Sequence, residues 1–503
     1  MSSIRVQEPD IHKSCLNSVT RSSPSRPLLI AIAALLTISS ITNSIAEQPE
    51  DTVRPNVLLI MVDDLRPELG AYGVDDMHTP NIDRLAADGL VFRRAYAQWP
   101  SCAPSRASIL SGLRPTRREN RREAVSVPSL PRHFRDNGYR TISIGKVYND
   151  IDDDPEAWTE APWRVESADM NWQGYASEES QSLRERLWRE ARRLDPDARL
   201  YQFNAGATEA AELPDDAYRD GQIAIRALEA LRQNSEENFF IAVGFVKPHL
   251  PFAAPRRYWD LYSRDLMLGT DYDSRPVSAS RFPYLFRELE AYQDMPEGLE
   301  LSADQYRELK HGYRACVSFI DAQVGLLLDE LERLDLRDDT IVVLMGDHGF
   351  HLGEQGVWGK HSLWESALHT PLIVSVPGQT TRGASSHALV ELLDAYPALS
   401  ELAGLERPEG LDGLSFAPLV DNPRLAWKSA ALSQYQPFLE PYRDVMGHSV
   451  RTDRYRYTEW RSPESLVEVE LYDLDANGLE SVNVANDPRY ADVVEELSSL
   501  MPR

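Results

Sequence analysis

Four strand-like runs, mostly apolar, give way within a residue or two to ionisable side chains: Asn56–Val62, Tyr139–Ile144, Phe239–Phe245 and Thr340–Met345. A continuous apolar run of this length predicts a strand buried on both faces. Between these runs the period changes to that of helices. Asn81–Leu90 puts Ile82, Leu85 and Ala86 on one side and stops at Gly89, and Gly221–Gln233 and Tyr313–Leu334 obey the same rule. Strands alternating with helices predict an α/β fold whose mixed, mostly parallel sheet is sandwiched by helices. Beyond about residue 430 the runs shorten. Ser449–Thr452 and Tyr455–Thr458 predict a small C-terminal α+β subdomain carrying an antiparallel sheet.

The residues just past each long strand carry the chemistry. The first run ends in Asp63-Asp64, the second in Gly145-Lys146, the third in Lys247-Pro248-His249 and the fourth in Gly346-Asp347-His348. Open α/β sheets bind ligands beyond the carboxyl ends of their strands, so these residues are predicted to share one edge. Alone, Asp63-Asp64 could cap the next segment and Asp347-His348 could open a turn. Two such pairs after two buried strands point to a metal cluster instead. Carboxylate oxygens favour Ca²⁺ or Mg²⁺, and the imidazole leaves room for a transition metal.

The sheet pattern is interrupted twice, at 150–215, rich in Asp, Glu, Arg and Trp, and at 263–297, rich in prolines and tyrosines. Both are predicted to be insertions forming a lid or substrate wall. At the N-terminus, Arg21 and Arg26 precede the apolar run Pro27–Leu36, and Ser44-Ile45-Ala46 supplies small residues. This order predicts a signal peptide over 1–46, cleaved near Ala46, and a periplasmic or secreted protein without stable membrane association. The alternative is a retained anchor. The predicted domains are then 1–46, a catalytic unit over 47–430 and a C-terminal subdomain over 431–503.

The formal charge of the 503-residue chain is −26. Removing residues 1–46 takes away four basic and two acidic residues and leaves about −28. That balance excludes nonspecific nucleic-acid binding, which needs a basic face, and requires a local basic lining for any anionic substrate. Cys15 would leave with the signal peptide. Cys102 and Cys316 make no disulfide framework, and Cys316, inside a helical pattern, reads as a buried apolar residue.

Cys102 stands in Ser101-Cys102-Ala103-Pro104-Ser105-Arg106, continued by Ala107-Ser108-Ile109-Leu110-Ser111-Gly112. A thiol at a helix start beside an arginine would favour an anion. The pattern C-x-P-S-R-x-x-x-L-x-G, joined with Asp63-Asp64-Leu65-Arg66-Pro67, Thr79–Leu85, Gly138–Lys146, Gly244–Phe252, Asp347–Glu354, Trp358-Gly359-Lys360-His361, Met446–Thr452 and Glu470–Asp473, resembles the type I sulfatases of the alkaline-phosphatase-like superfamily, and more narrowly their iduronate-2-sulfatase-like branch. The resemblance runs from Pro55 to about Asn483.

The resemblance implies a sulfuric ester hydrolase acting on a sulfated carbohydrate. It implies that a maturation enzyme converts Cys102 to formylglycine, whose hydrate attacks sulfur and then eliminates sulfate. One Ca²⁺ would be held by Asp63, Asp64, Asp347, His348 and the modified Cys102. Arg106 would hold the formylglycine, Lys146 and Lys360 would contact the sulfate, and His249 would protonate the leaving oxygen.

The chain departs from the family pattern in places. Asn149 stands where the branch carries a histidine, so sulfate release lacks an evident base. Glu119 and Phe350 replace an arginine and a tryptophan, which disfavours a uronate substrate. The arginines of 114–122 could supply the basic lining, or form a solvated loop. Two other readings stay open: a phosphate or phosphonate monoester hydrolase of the same superfamily, and a catalytically silent relative that binds sulfated glycans.

Overall fold

The computed structural model describes residues 54–115, 127–149, 154–165, 174–195, 204–267, 269, 272–477 and 479–501. They belong to one compact unit, Val53–Arg503. The proposed signal peptide and the arginines at 117, 118, 121 and 122, with Glu119, lie outside the described residues.

In chain order the strands begin with β1 (Asn56–Val62), β2 (Leu90–Tyr96), β3 (Arg140–Gly145), β4 (Thr208–Ala211), β5 (Phe239–Phe245), β6 (Phe252–Pro255) and β7 (Thr340–Gly346). Then come β8 (His351–Leu352), β9 (Trp358–Gly359), β10 (His369–Ser375) and β11 (Ala384–Glu391). The C-terminal set is β12 (Ala431–Tyr435), β13 (Met446–Arg451), β14 (Tyr455–Arg461) and β15 (Leu466–Asp473).

The central sheet has seven strands in the order β11-β2-β10-β7-β1-β5-β3. Only β10 runs antiparallel to its neighbours. The four apolar runs predicted from sequence are β1, β3, β5 and β7, and they lie side by side in parallel. Their lack of alternation has a direct cause. In β1, Leu58, Ile60 and Val62 pack into one core layer, and Val57, Leu59 and Met61 into the other. Successive side chains point to opposite faces, so a strand covered on both sides must be apolar throughout.

The helices that cover the sheet begin with α1 (Pro80–Asp88), α2 (Cys102–Ser111), α3 (Leu130–Asp136), α4 (Glu178–Leu194), α5 (Arg219–Gln233), α6 (Arg256–Trp259) and α7 (Ala303–Arg333). Helices α5 and α7 contribute Ile223, Ala227, Leu327 and Leu331 to the first layer. Helix α2 and the helix Ala395–Leu402 contribute Ile109, Leu110, Tyr396 and Leu399 to the second. Helix α7 starts ten residues earlier than its apolar period predicts. A capping box, with Ser302 accepting from Gln305 N and Gln305 accepting from Ser302 N, fixes that start.

The predicted C-terminal sheet is a four-stranded antiparallel sheet, β12-β13-β14-β15. Of the insertions, 150–215 provides α4 and β4, and β4 pairs with β6. The described part of the 263–297 stretch consists of short turns, among them the 3₁₀ turn Glu288–Ala291. Among the described residues no helix is long and apolar enough to cross a membrane.

Candidate active site

Strands β7, β1, β5 and β3 end on the same edge of the sheet, and their pairing continues one step past the strands. Asp347 N donates to Val62 O (3.2 Å) and Asp63 N to Phe245 O (3.3 Å). The next residue breaks the strand: Asp64 has φ = 58°, a left-handed conformation that costs a non-glycine residue free energy. Surrounding bonds hold it there. Asp64 N donates to Asp347 Oδ1 (3.1 Å), and the Tyr313 hydroxyl donates to Asp64 O (2.8 Å). Gly244 on β5 lies flat against the Lys146 carbonyl, where a Cβ would collide. That close approach lets β3 and β5 deliver Lys146 and His249 to one place.

Strand β2 runs parallel to β7, so its carboxyl end reaches the same edge, and the chain then turns into α2 with Cys102 as the first helical residue. Cys102 Sγ lies 3.4 Å from His348 Nε2 and 3.6 Å from Lys360 Nζ. Arg106 is one turn further on the same face of α2 and is fully buried. Its Nε donates to Asp347 Oδ2 (2.8 Å), its Nη2 to Asp63 Oδ1 (3.3 Å), and its Nη1 to the carbonyls of Lys146 and Val147. Arg106 thereby ties α2 to β1, β3 and β7.

Two lysines complete the ring. Lys146 Nζ donates to Asp63 Oδ2 (2.6 Å). Lys360, just past β9, donates to both oxygens of Asp64 (2.9 and 3.0 Å). His249 Nδ1 faces Leu250 O at 2.7 Å. Its Nε2 lies 3.4 Å from Glu288 Oε1, and Glu288 Oε2 is 3.5 Å from Lys360 Nζ.

The charges set one another. Burial alone would raise the Asp63 carboxyl, yet Lys146 and Arg106 hold it well below the usual carboxylate range. Burial would likewise lower both lysines, but Asp63 keeps Lys146, and Asp64 keeps Lys360, above the usual ammonium value. Burial, and then Asp63, push the Cys102 thiol far up. That is the opposite of what a thiolate nucleophile needs. Burial and Lys360 drive the His249 imidazole down to about 3, so it rests neutral.

The donor set fits a hard divalent cation. One ligand atom from each of Asp63, Cys102, Asp347 and His348 lies within 4.8 Å of all the others, and the same holds for Asp63, Asp64, Cys102 and His249. His348 Nδ1 faces Gly349 O at 2.9 Å. With the ring proton committed there, the bare Nε2 faces Asp64 Oδ1 (3.5 Å) and Asp347 Oδ1 (3.6 Å). A lone pair aimed at two carboxylates is an arrangement a bound cation relieves. His249, expected as an acid, thus also stands within the ligand cluster.

All nine residues singled out from the sequence (Asp63, Asp64, Cys102, Arg106, Lys146, His249, Asp347, His348 and Lys360) meet in this one buried cluster. Glu288 joins them without any sequence signal, because it sits in a turn-rich segment where neither period nor motif marks it. Two residues noted from the sequence lie away from this cluster. Phe350 is buried in the core, stacked on Tyr313 and edge-on to Phe252. Arg114 is not a free basic lining, because its guanidinium grips buried Glu391 (Nη2 to Oε2, 2.9 Å). Asn149 accepts Arg164 Nη1 at its backbone carbonyl (2.9 Å).

A mixed sheet wrapped by helices, with carboxylates and cations gathered at the carboxyl ends of its parallel strands and an antiparallel sheet appended, is the alkaline-phosphatase-like architecture. Solved structures agree. The phosphonate monoester hydrolase of Agrobacterium radiobacter superposes with a TM-score of 0.70 at 21% identity, covering 89% of this chain and 94% of that one. A protein solved with its substrate D-glucosamine-2-N,6-O-disulfate superposes with a TM-score of 0.70 at 20% identity, covering 89% and 96%.

Sequence comparison is narrower. Residues 55–405 match the family model described as Sulfatase, and residues 353–503 the model described as N-sulphoglucosamine sulphohydrolase, C-terminal. Human iduronate 2-sulfatase is 33% identical over 530 aligned positions, spanning 88% of this chain and 93% of that protein. The chain belongs to the sulfatase family and is a sulfatase.

Proposed function

We propose that this enzyme hydrolyses sulfate esters of a carbohydrate, with Cys102 matured to formylglycine and one Ca²⁺ held by Asp63, Asp64, Asp347 and His348. The observation that carries the reading is the pair of overlapping buried ligand groups that share Asp63 and Cys102, one completed by Asp347 and His348 and the other by Asp64 and His249. The high thiol pKa supports it, since an unmodified Cys102 would be a weak nucleophile. The carbohydrate comes from the likeness to iduronate 2-sulfatase.

The bound cation and the aldehyde hydrate would supply an oxygen nucleophile of lowered pKa and a charge facing the sulfuryl oxygens. The chain's own groups do the rest. Asp63, Asp64 and Asp347 are matched by Arg106, Lys146 and Lys360, so a divalent cation leaves a net positive pocket for an anionic ester. Arg106 fixes the start of α2, and with it residue 102, against β1 and β7. Lys360 and Lys146 flank the place a sulfuryl group would take. His249 stands beside them to bond the leaving oxygen. With Nδ1 committed to Leu250 O, it gives a proton there only from a protonated Nε2. Asn149 can orient a hydroxyl but cannot take its proton.

The basic, apolar and small-residue order of residues 1–46 supports export with cleavage near Ala46, leaving a catalytic unit over 47–430 and a subdomain over 431–503. The deciding experiment is mass spectrometry of the Cys102 peptide from a host with the maturation enzyme, with calcium content and sulfate release measured on the same sample. Conversion of Cys102 with stoichiometric calcium and sulfate release is expected. Unmodified Cys102 in a protein that still releases sulfate would overturn the mechanism, and faster release of phosphate than sulfate from matched aryl esters would overturn the substrate class.

A further inference from the structure

Glu288 is the acid of this pocket that no cation saturates. Its Oε1 lies 3.4 Å from His249 Nε2 and its Oε2 3.5 Å from Lys360 Nζ. Neither approach is a hydrogen bond, and Oε2 is buried without any hydrogen-bond partner. The contrast with Asp64 is direct, because that carboxylate takes Lys360 on both oxygens at 2.9 and 3.0 Å. An unsatisfied buried acceptor costs stability, and such groups are kept where a ligand supplies the missing donor.

Its position says which ligand. Lys360 touches Cys102 Sγ, and His249 faces the leaving oxygen in the proposed mechanism, so Glu288 borders both groups that would grip the ester. A substituent on the carbon next to the one that bears the sulfated oxygen is the group such a carboxylate would meet. A hydroxyl or amine there would donate to it, whereas a carboxylate there would meet like charge in a poorly screened site.

We propose that Glu288 is a specificity-determining residue, accepting a hydrogen bond from a hydroxyl or amine on the carbon next to the sulfated one and rejecting substrates with a carboxylate at that place. The inference rests on the sulfate-ester reading.

The test uses three small probes on the matured, calcium-loaded enzyme: phenyl sulfate, 2-hydroxyphenyl sulfate and 2-carboxyphenyl sulfate. For each, kcat/KM is measured by sulfate release in wild type, Glu288→Gln and Glu288→Ala. The wild type is expected to favour the hydroxy probe over phenyl sulfate by about tenfold and to disfavour the carboxy probe. Glu288→Ala should bring the hydroxy-to-phenyl ratio close to one. Both variants should raise the carboxy-to-phenyl ratio by about tenfold, and Gln, which keeps an acceptor, should retain part of the hydroxyl preference. Ratios cancel any common loss from misfolding or from a disturbed His249. Unchanged ratios in Glu288→Ala, or a wild type that turns over the probes without preference, would overturn the assignment and leave the sulfate-ester reading standing. Release of sulfate from none of the three by wild type would count against that reading, and this one would fall with it.

Discussion

Two of the buried charge clusters among the described residues are built to opposite rules. One is the pocket around Cys102. The other sits between the central sheet and the C-terminal sheet, where Glu365 and Glu480 meet Arg451 and Arg456. In the second cluster the partners close on one another. Arg451 Nε donates to Glu365 Oε2 (3.0 Å), Arg456 Nη2 donates to the same oxygen, and the Tyr96 hydroxyl donates to Glu365 Oε1 (2.8 Å). Glu480 accepts from Glu365 N (2.8 Å). Its Oε1 lies 2.6 Å from Arg456 Nε, close enough for an ion pair although Nε–H aims off it. Both guanidinium groups lie over the Tyr96 ring.

In the pocket, by contrast, His348 Nε2 faces carboxylates and Glu288 Oε2 faces nothing that donates to it. Burial of charge does not by itself mark function. A closed network holds two sheets together, and an open one waits for a cation and a substrate.

Substitutions should separate the two clusters sharply. Asp347→Ala should lower sulfate release by about 10³-fold or more and remove bound calcium together. Retained activity with retained calcium, read by metal analysis on the purified variant, would show that the ligand set is wrong. Arg456→Ala should act on stability instead, costing about 3–5 kcal/mol in denaturant unfolding because it removes the guanidinium beside buried Glu480 and one of the two that grip Glu365, with kcat of the folded fraction unchanged.

The acid–base behaviour of the second cluster gives a finer test. Burial, opposed by Arg456 and aided by Glu365, pushes the Glu480 carboxyl up to about 7. Burial would also raise Glu365, but Arg451 and Arg456 pull it far below the usual range. One carboxyl takes the arginines while the other keeps its proton. A raised carboxyl means the native state binds more protons than the unfolded one between the ordinary glutamate value and about 7. Stability should therefore fall as pH rises through that window and level off above it. Glu480→Gln should flatten that slope, and a thermal-unfolding series from about pH 4.5 to 8 measures it. The smallest effect is expected from Tyr96→Phe, about 1 kcal/mol for one lost hydrogen bond to Glu365, with no change in activity.

Much of the fold is legible in the chain's apolar pattern. Strands β1 and β5 have the bounds their apolar runs predict, because both faces are covered and nothing polar is tolerated between their ends. Once the strands were parallel, the residues beyond them had to fall on one edge. Three strands of the same sheet were not legible. Strand β2 carries Arg93 and Arg94, β10 opens with His369-Thr370-Pro371, and β11 begins Ala384-Ser385-Ser386-His387. Strand β11 is the edge strand and half-exposed over its first half, β2 leaves Arg93 and Arg94 only part-buried, and β10 is buried from Thr370 to Ser375 despite its polar start. Cys316 is buried within α7, as its helical setting implied.

The residue types, their placement after apolar strands and the motif around Cys102 were therefore set by local pattern, since strand burial and chain direction follow from short-range sequence. Which acid stays unsatisfied, which arginine is spent on a buried partner and which aromatic is core depended on segments distant in the chain. Glu288 comes from a turn with no periodicity of its own, and only packing brings it against His249 and Lys360. Arg114 belonged to a run that could line a site or lie in solvent, and its partner Glu391 comes from the distant end of β11. Hydrogen bonds and ion pairs act over a few ångströms, so only the folded chain assigns such partners.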